Sequence, residues 1–285
     1  MAIVLASAFL HAGWNFLLKK SGNKIVFTWC FLTAALVMYL PVCLYFWPRQ
    51  PISTLGWVCI AGTGIFHFLY FWFMGGAYER GDLSLVYPLF RGSGPLLVPI
   101  LAVLLLNEEL AALGLAGIGL IVLGIYVLHL TSFRLQSFLE PFASLKQGAS
   151  RWALYTGGAI AGYSIIDKVG VGQVFPPVYL YLAVVISWGF LSVDVLSRRR
   201  EGILLEWRHN RLNIVVVGFF AIFTYMMILF ALQLAKVSYV SAVREISIVL
   251  SALLGVSQLG EKNAAQKLPG AAMIALGVVF IGLSR

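Results

Sequence analysis

Arg91 is the residue most able to do chemistry in this 285-residue chain. It stands inside an apolar run from Leu83 to Leu106, beside Pro88, Gly92, Gly94, Pro95 and Pro99. About eight residues into a helical span, it would lie roughly 12 Å deep. An arginine there costs at least about 2.5–3.5 kcal/mol unless it faces a cavity or a partner. Prolines kink helices and glycines permit close approach. A broken span beside a buried cation is therefore expected to bind substrate; the plainer reading is an arginine that ties a carboxylate or a helix end. Arg244, with Glu245 beside it, is the counterpart later in the chain. Adjacent helical residues point about 100° apart, so Glu245 can pair with Arg91 or with a substrate amine rather than with Arg244. A guanidinium grips a carboxylate or phosphate through two parallel hydrogen bonds. Two mid-membrane arginines thus point to a solute carrying a carboxylate, phosphate or phosphonate, and Glu245 leaves room for a zwitterion.

His11, Asn15 and Lys19 recur every four residues and form one polar stripe on the first helix. His67 is also polar and mid-span, and Trp14, Tyr70, Tyr87, Tyr163 and Tyr239 could supply an aromatic lining. The candidate substrate-binding set is Arg91, Arg244, Glu245, His11, Trp14, Asn15, Tyr163, His67 and Tyr87. Cys30, Cys43 and Cys59 lie in apolar runs without metal-like spacing and read as packing residues; no metal or cofactor is expected. The chain has no His-Glu-x-x-His, no Gly-x-Ser-x-Gly and no paired carboxylates on one helix, which argues against a membrane enzyme.

The elements that position these residues are set by composition. The chain is 61% apolar and 11% charged, against about 45–50% and 25% for soluble domains. Apolar runs cover 3–18, 25–47, 55–78, 83–106 and 110–130, then 152–166, 175–196, 212–234, 237–259 and 264–283. A spanning helix needs about 20 such residues, so ten transmembrane helices are expected. The 152–166 run is the shortest, with Asp167 and Lys168 at its far end. The first run lacks a basic leader and carries His11 and Asn15, unlike a signal peptide. The net charge of +9 sits in loops at membrane ends, where it anchors and orients spans, so nucleic acid is not an expected partner.

The chain also repeats itself. Ala12-Gly13-Trp14-Asn15…Lys19 is matched by Ala161-Gly162-Tyr163-Ser164…Lys168. Arg91, Glu108, Gly117 and Gly124 are matched at one constant offset by Arg244, Glu261, Gly270 and Gly277. The expected fold is all-α and integral to the membrane: ten helices as two inverted five-helix repeats, 1–133 and 150–285, with a linker at 134–149. Five spans per half is odd, so the second half enters from the opposite side. The paired glycines permit close helix packing, and Glu108 and Glu261 are expected to cap the helices that follow them. Most basic residues fall in the odd-numbered loops, which places those loops, including 198–211, in the cytoplasm and both termini outside.

The aromatic-polar pair of the first span, the proline-rich fourth span ending in Glu108 and the Gly117/Gly124 fifth span resemble the drug/metabolite transporter superfamily in its ten-span EamA type. Glu261, Gly270 and Gly277 repeat the last two features, so the resemblance covers the whole chain. The opening His11-Ala12-Gly13-Trp14-Asn15…Lys19 is similar to a subgroup that includes phosphonate-utilisation-associated membrane proteins. The resemblance implies cytoplasmic termini, against the charge distribution. It also implies a permease of a bacterial inner membrane, a monomer or homodimer among lipids. Four-span members of the superfamily take up cations and protons on a first-span glutamate, which this chain lacks. The expected activity is alternating-access transport of a small polar organic solute with an anionic group, with a coupling proton allowed. The alternatives are an amino-acid or broad metabolite exporter and a lipid-linked substrate flippase.

Overall fold

The computed structural model describes residues 1–19, 21–48, 50–80, 83–128, 130, 148–250 and 264–284. Among the described residues, ten helices carry the fold: α1 (Ala2–Lys19), α2 (Lys24–Tyr45), α3 (Thr54–Arg80), α4 (Leu83–Leu106), α5 (Ala112–Leu128), α6 (Gly148–Gly170), α7 (Pro176–Arg198), α8 (Arg200–Leu234), α9 (Val237–Arg244) and α10 (Ala264–Leu283). Among the described residues, five are long and apolar enough to cross a membrane: α2, α3, the Leu89–Leu106 part of α4, α7 and α8. Apolar side chains also cover the outside, where Val37, Leu104, Val193 and Leu212 are exposed. An apolar exterior suits a helix surrounded by lipid rather than water.

The two halves interlock as counterparts. α1 packs on α8 as α6 packs on α3, and α2 packs on α8 as α7 packs on α3. α5 and α10 pack on each other and show the symmetry atom by atom. A Cβ on Gly117 would lie 2.7 Å from the Gly277 carbonyl oxygen, and one on Gly277 would lie 2.6 Å from that of Gly117. Gly124 and Gly270 make the same reciprocal contact. Ascending positions on α5 meet descending positions on α10, so these counterpart helices run antiparallel. That is the local signature of inverted halves, built on glycines that let two backbones touch.

The structure corrects several expectations of detail. The broken fourth span is a continuous helix, α4, despite its prolines; neighbouring helices let membrane helices tolerate such residues. The interruption falls in the second half, where α9 stops at Arg244, Glu245 forms a turn and residues 246–250 resume helix. The sixth span is not short, because α6 runs through Asp167 and Lys168 to Gly170. Lys168 Nζ donates to the Leu232 (2.6 Å) and Ala235 (2.8 Å) carbonyls. A cation there satisfies the open carbonyl end of α8. The 198–211 segment is helical, not a loop: α8 begins at Arg200 and kinks at Asn210 (φ −126, ψ 15). Residues 134–147 of the linker and Glu261 lie outside the described residues.

Glu108 does not cap α5. Its carboxylate accepts the Val237 N–H (2.7 Å), the Ser238 N–H (3.3 Å) and the Ser238 hydroxyl (2.7 Å), at the start of α9 in the other half. An acidic group there meets open N–H donors and the positive end of the helix. Glu108→Ala should therefore cost about 0.5–2 kcal/mol, read as a lower melting temperature. Glu108→Gln, which keeps an acceptor, should recover part of it. Equal melting of wild type and Glu108→Ala would refute this cap.

Candidate functional site

Among the described residues, seven helices line a central cavity, with an empty volume of about 780 Å³ counted to its open mouth. Helical spacing explains its walls. On α1, Ser7, His11 and Trp14 follow one face, and on α3 His67, Tyr70 and Phe71 do the same. α8 contributes Thr224, Tyr225 and Ile228, α6 contributes Tyr163, α7 contributes Ser187, and α9 ends on Arg244. Most of the remaining wall is aliphatic or aromatic. Sparse polar groups on an apolar wall are the usual make-up of a small-molecule site.

The polar groups cluster around Arg244. Its guanidinium lies 3.5 Å from the Tyr163 hydroxyl and over the Tyr225 ring, 5.7 Å from the centroid. The Tyr163 ring stacks on His67 at 4.2 Å, and Tyr225 meets His67 edge-on at 5.0 Å. Across the cavity, His11 and Trp14 meet edge-to-face at 4.7 Å. No carboxylate pairs with Arg244 among the described residues. Among the described residues, three buried polar atoms of the wall have no hydrogen-bond partner: Trp14 Nε1, Ser187 Oγ and Thr224 Oγ1. Buried polar groups are normally satisfied, so these three stand out on the wall.

Arg91 and Glu245 are placed otherwise. They form an ion pair with each other at 2.9 Å, both side chains 5% exposed, and Arg91 also donates to Ser247 Oγ at 3.0 Å. Neither is among the residues that line the cavity. The pair joins α4 to the turn after α9 and sets the Glu245 carboxylate against a cation. Asn15 donates to the His11 carbonyl at 2.9 Å and is also off the wall. Tyr87 sits on α4, but its side chain, like that of Lys19, lies outside the described residues. Tyr239 is not on the wall either: its hydroxyl accepts the Ala111 N–H at 3.1 Å. The structure thus brings together Arg244, His11, Trp14, Tyr163 and His67 from the expected set. Among the described residues, no cluster of three His, Cys, Asp or Glu side chains could hold a metal ion.

One group that sequence reasoning passed over stands just behind the wall. Asp167 is 0% exposed. Its Oδ1 accepts the hydroxyls of Thr63 (2.5 Å) and Tyr179 (2.9 Å), and its Oδ2 accepts that of Tyr225 in a short hydrogen bond. His67 Nδ1 lies 2.9 Å from the Thr63 carbonyl and 3.3 Å from Thr63 Oγ1. Because a carbonyl only accepts, Nδ1 carries the proton. The neighbouring Lys168 made Asp167 look like a span terminus; the legible signal was Thr63 and His67, four apart on one face of α3.

Among known proteins, a family model described as the EamA-like transporter family matches residues 1–130 and again 149–283. A solved crystal structure, titled simply as that of a protein, superposes with a TM-score of 0.75 at 17% identity, covering 99% of this chain and 96% of the other. That likeness speaks for the fold alone. No curated relative matches the sequence.

Proposed function

The chain belongs to the EamA-like transporter family, which is a family of membrane transporters and not of enzymes, and from that premise we propose that it moves a small organic anion through the central cavity by alternating access. The carrying observation is Arg244, a guanidinium on the cavity wall with no carboxylate partner among the described residues. A cation in that setting favours a carboxylate, phosphate or phosphonate. Tyr163 adds a hydroxyl and Tyr225 a ring face beside it, and the Trp14, Ser187 and Thr224 donors suit further polar atoms on the solute. The Arg91–Glu245 pair removes the negative charge that would have favoured an amine. The membrane we assign is a bacterial inner membrane.

Alternating access needs contacts at each end of the cavity that can exchange. At one end Arg199, between α7 and α8, reaches Asp194 of α7 at 3.0 Å and Glu79 of α3 at 3.3 Å. At the other, Lys168 of α6 holds the last carbonyls of α8, and Glu108 holds the start of α9. These are polar contacts at helix ends, less costly to remake than an apolar core.

The test is binding of methylphosphonate, phosphate, small carboxylates, amino acids and amines to purified protein. Anions should bind, and Arg244→Ala should weaken them about ten- to hundred-fold, as for loss of a charge-assisted hydrogen bond of about 1.5–3 kcal/mol. Arg244→Lys keeps the charge but loses the fork, so it should fall between. Preference for amines, or unchanged anion affinity in folded Arg244→Ala, would overturn the reading.

A further inference from the structure

We propose that Asp167 is the proton-coupling group of this transporter, exchanging its proton with the central cavity through Tyr225 and through the His67–Thr63 pair. The coupling part rests on the anion reading of the cavity; the proton site itself stands on geometry. Asp167 is buried completely, and no lysine or arginine pairs with it among the described residues. Acidic groups so placed in a membrane mark ion or proton pathways. Among the described residues, the groups that face it can be named. α3 presents Thr63, His67 and Cys59; α7 presents Tyr179, whose hydroxyl also lies 3.4 Å from the Cys59 carbonyl; α8 presents Tyr225. From α9, Arg244 lies over the Tyr225 ring, 5.7 Å from its centroid. On its own helix, Tyr163 stacks on His67 while Lys168 is turned to the end of α8.

Two of these neighbours, Tyr225 and His67, also line the cavity. Asp167 is therefore one hydroxyl from the cavity by one route and two side chains from it by the other. Tyr225 has a single hydroxyl hydrogen and two prospective acceptors. In this structure it donates to Asp167 Oδ2. An anion seated on Arg244 would lie beside the same hydroxyl. When Tyr225 turns its hydrogen to the anion, the Asp167 carboxylate loses one of its three donors. A proton from the cavity then adds to Oδ2, and the resulting O–H donates to the Tyr225 oxygen. One proton leaves water, one carboxylate becomes neutral, and no other bond changes. Anion and proton thus favour each other's binding, which by linkage makes the pair travel together.

The experiment is pH-difference infrared spectroscopy of the purified full chain, read at the carbonyl stretch of a protonated carboxyl. Across about pH 4 to 9, the range over which buried carboxyls titrate, wild type should show such a band and Asp167→Asn should lose it. Tyr225→Phe, which keeps the ring, should enlarge the band at a fixed pH, because the charged form has lost a donor. Methylphosphonate added to wild type at that pH should also enlarge it. A band unaltered by Asp167→Asn, or indifferent to Tyr225→Phe, overturns the proton site. Methylphosphonate binding without band growth overturns the coupling. Should no anion bind while the band responds to both substitutions, the proton site stands and the anion reading falls. A melting curve on each variant shows that it is folded.

Discussion

Arg91→Ala is expected to cost about 3–5 kcal/mol of stability, because it leaves the Glu245 carboxylate buried without its cation. The pair is close, at 2.9 Å, and both side chains are 5% exposed. Coulomb attraction there offsets desolvation of both groups, and removing one partner leaves the second uncompensated. Glu245→Gln should be costly for the mirrored reason, with a charged guanidinium left facing an amide. Replacing both together, as Arg91→Met with Glu245→Leu, should recover most of the loss, since a well-packed apolar pair often equals a buried ion pair. Melting temperatures of the two single variants and the double variant measure this coupling. Binding of methylphosphonate to whatever folded Arg91→Ala protein survives should change little, because Arg91 is off the cavity wall. A stable Arg91→Ala protein with much weaker anion binding would reverse the roles assigned to the two arginines.

The second large effect is expected at the α5–α10 crossing. A Cβ on Gly124 would meet the Gly270 carbonyl oxygen at 2.8 Å and the Ile274 backbone nitrogen at 2.9 Å. These are backbone atoms and cannot rotate aside, so the helices must separate. Gly124→Val should therefore cost at least the roughly 1–3 kcal/mol of an overpacked core. It should also remove contacts along the whole crossing, since Gly117 and Gly277 touch in the same register. Gly119 on the same helix is the control: a Cβ there meets nothing within 4 Å. Gly119→Val should leave the melting temperature nearly unchanged. Equal behaviour of the two valine variants would mean that the close glycine contact does not hold the halves together.

Much of this protein was legible in one dimension because the solvent imposes it. A lipid interior demands long apolar helices whose backbones satisfy themselves, so the helical segments could be marked from apolar runs. Boundaries were less legible where polar residues extend a helix, as at Asp167–Gly170, because their satisfaction comes from other helices. The repeat was legible because duplicated residues keep their spacing, and the paired glycines announced a close crossing. Which glycine meets which was a matter of three dimensions: Gly117 touches Gly277, not its own counterpart Gly270.

The site divides in the same way. Sequence by itself established that two arginines, a glutamate and two histidines lie inside apolar spans, each needing a partner or a cavity. It could not choose between those fates, because the partner of a charge is set by distance across helices far apart in the chain. Tertiary structure gave Arg91 to Glu245, left Arg244 on the cavity wall, and carried Glu108 across to the opposite half to cap α9. It also drew Thr63, Tyr179 and Tyr225 from three helices around Asp167. A carboxylate that looks like a helix end in one dimension is, in three, buried by its neighbours and held by their hydroxyls.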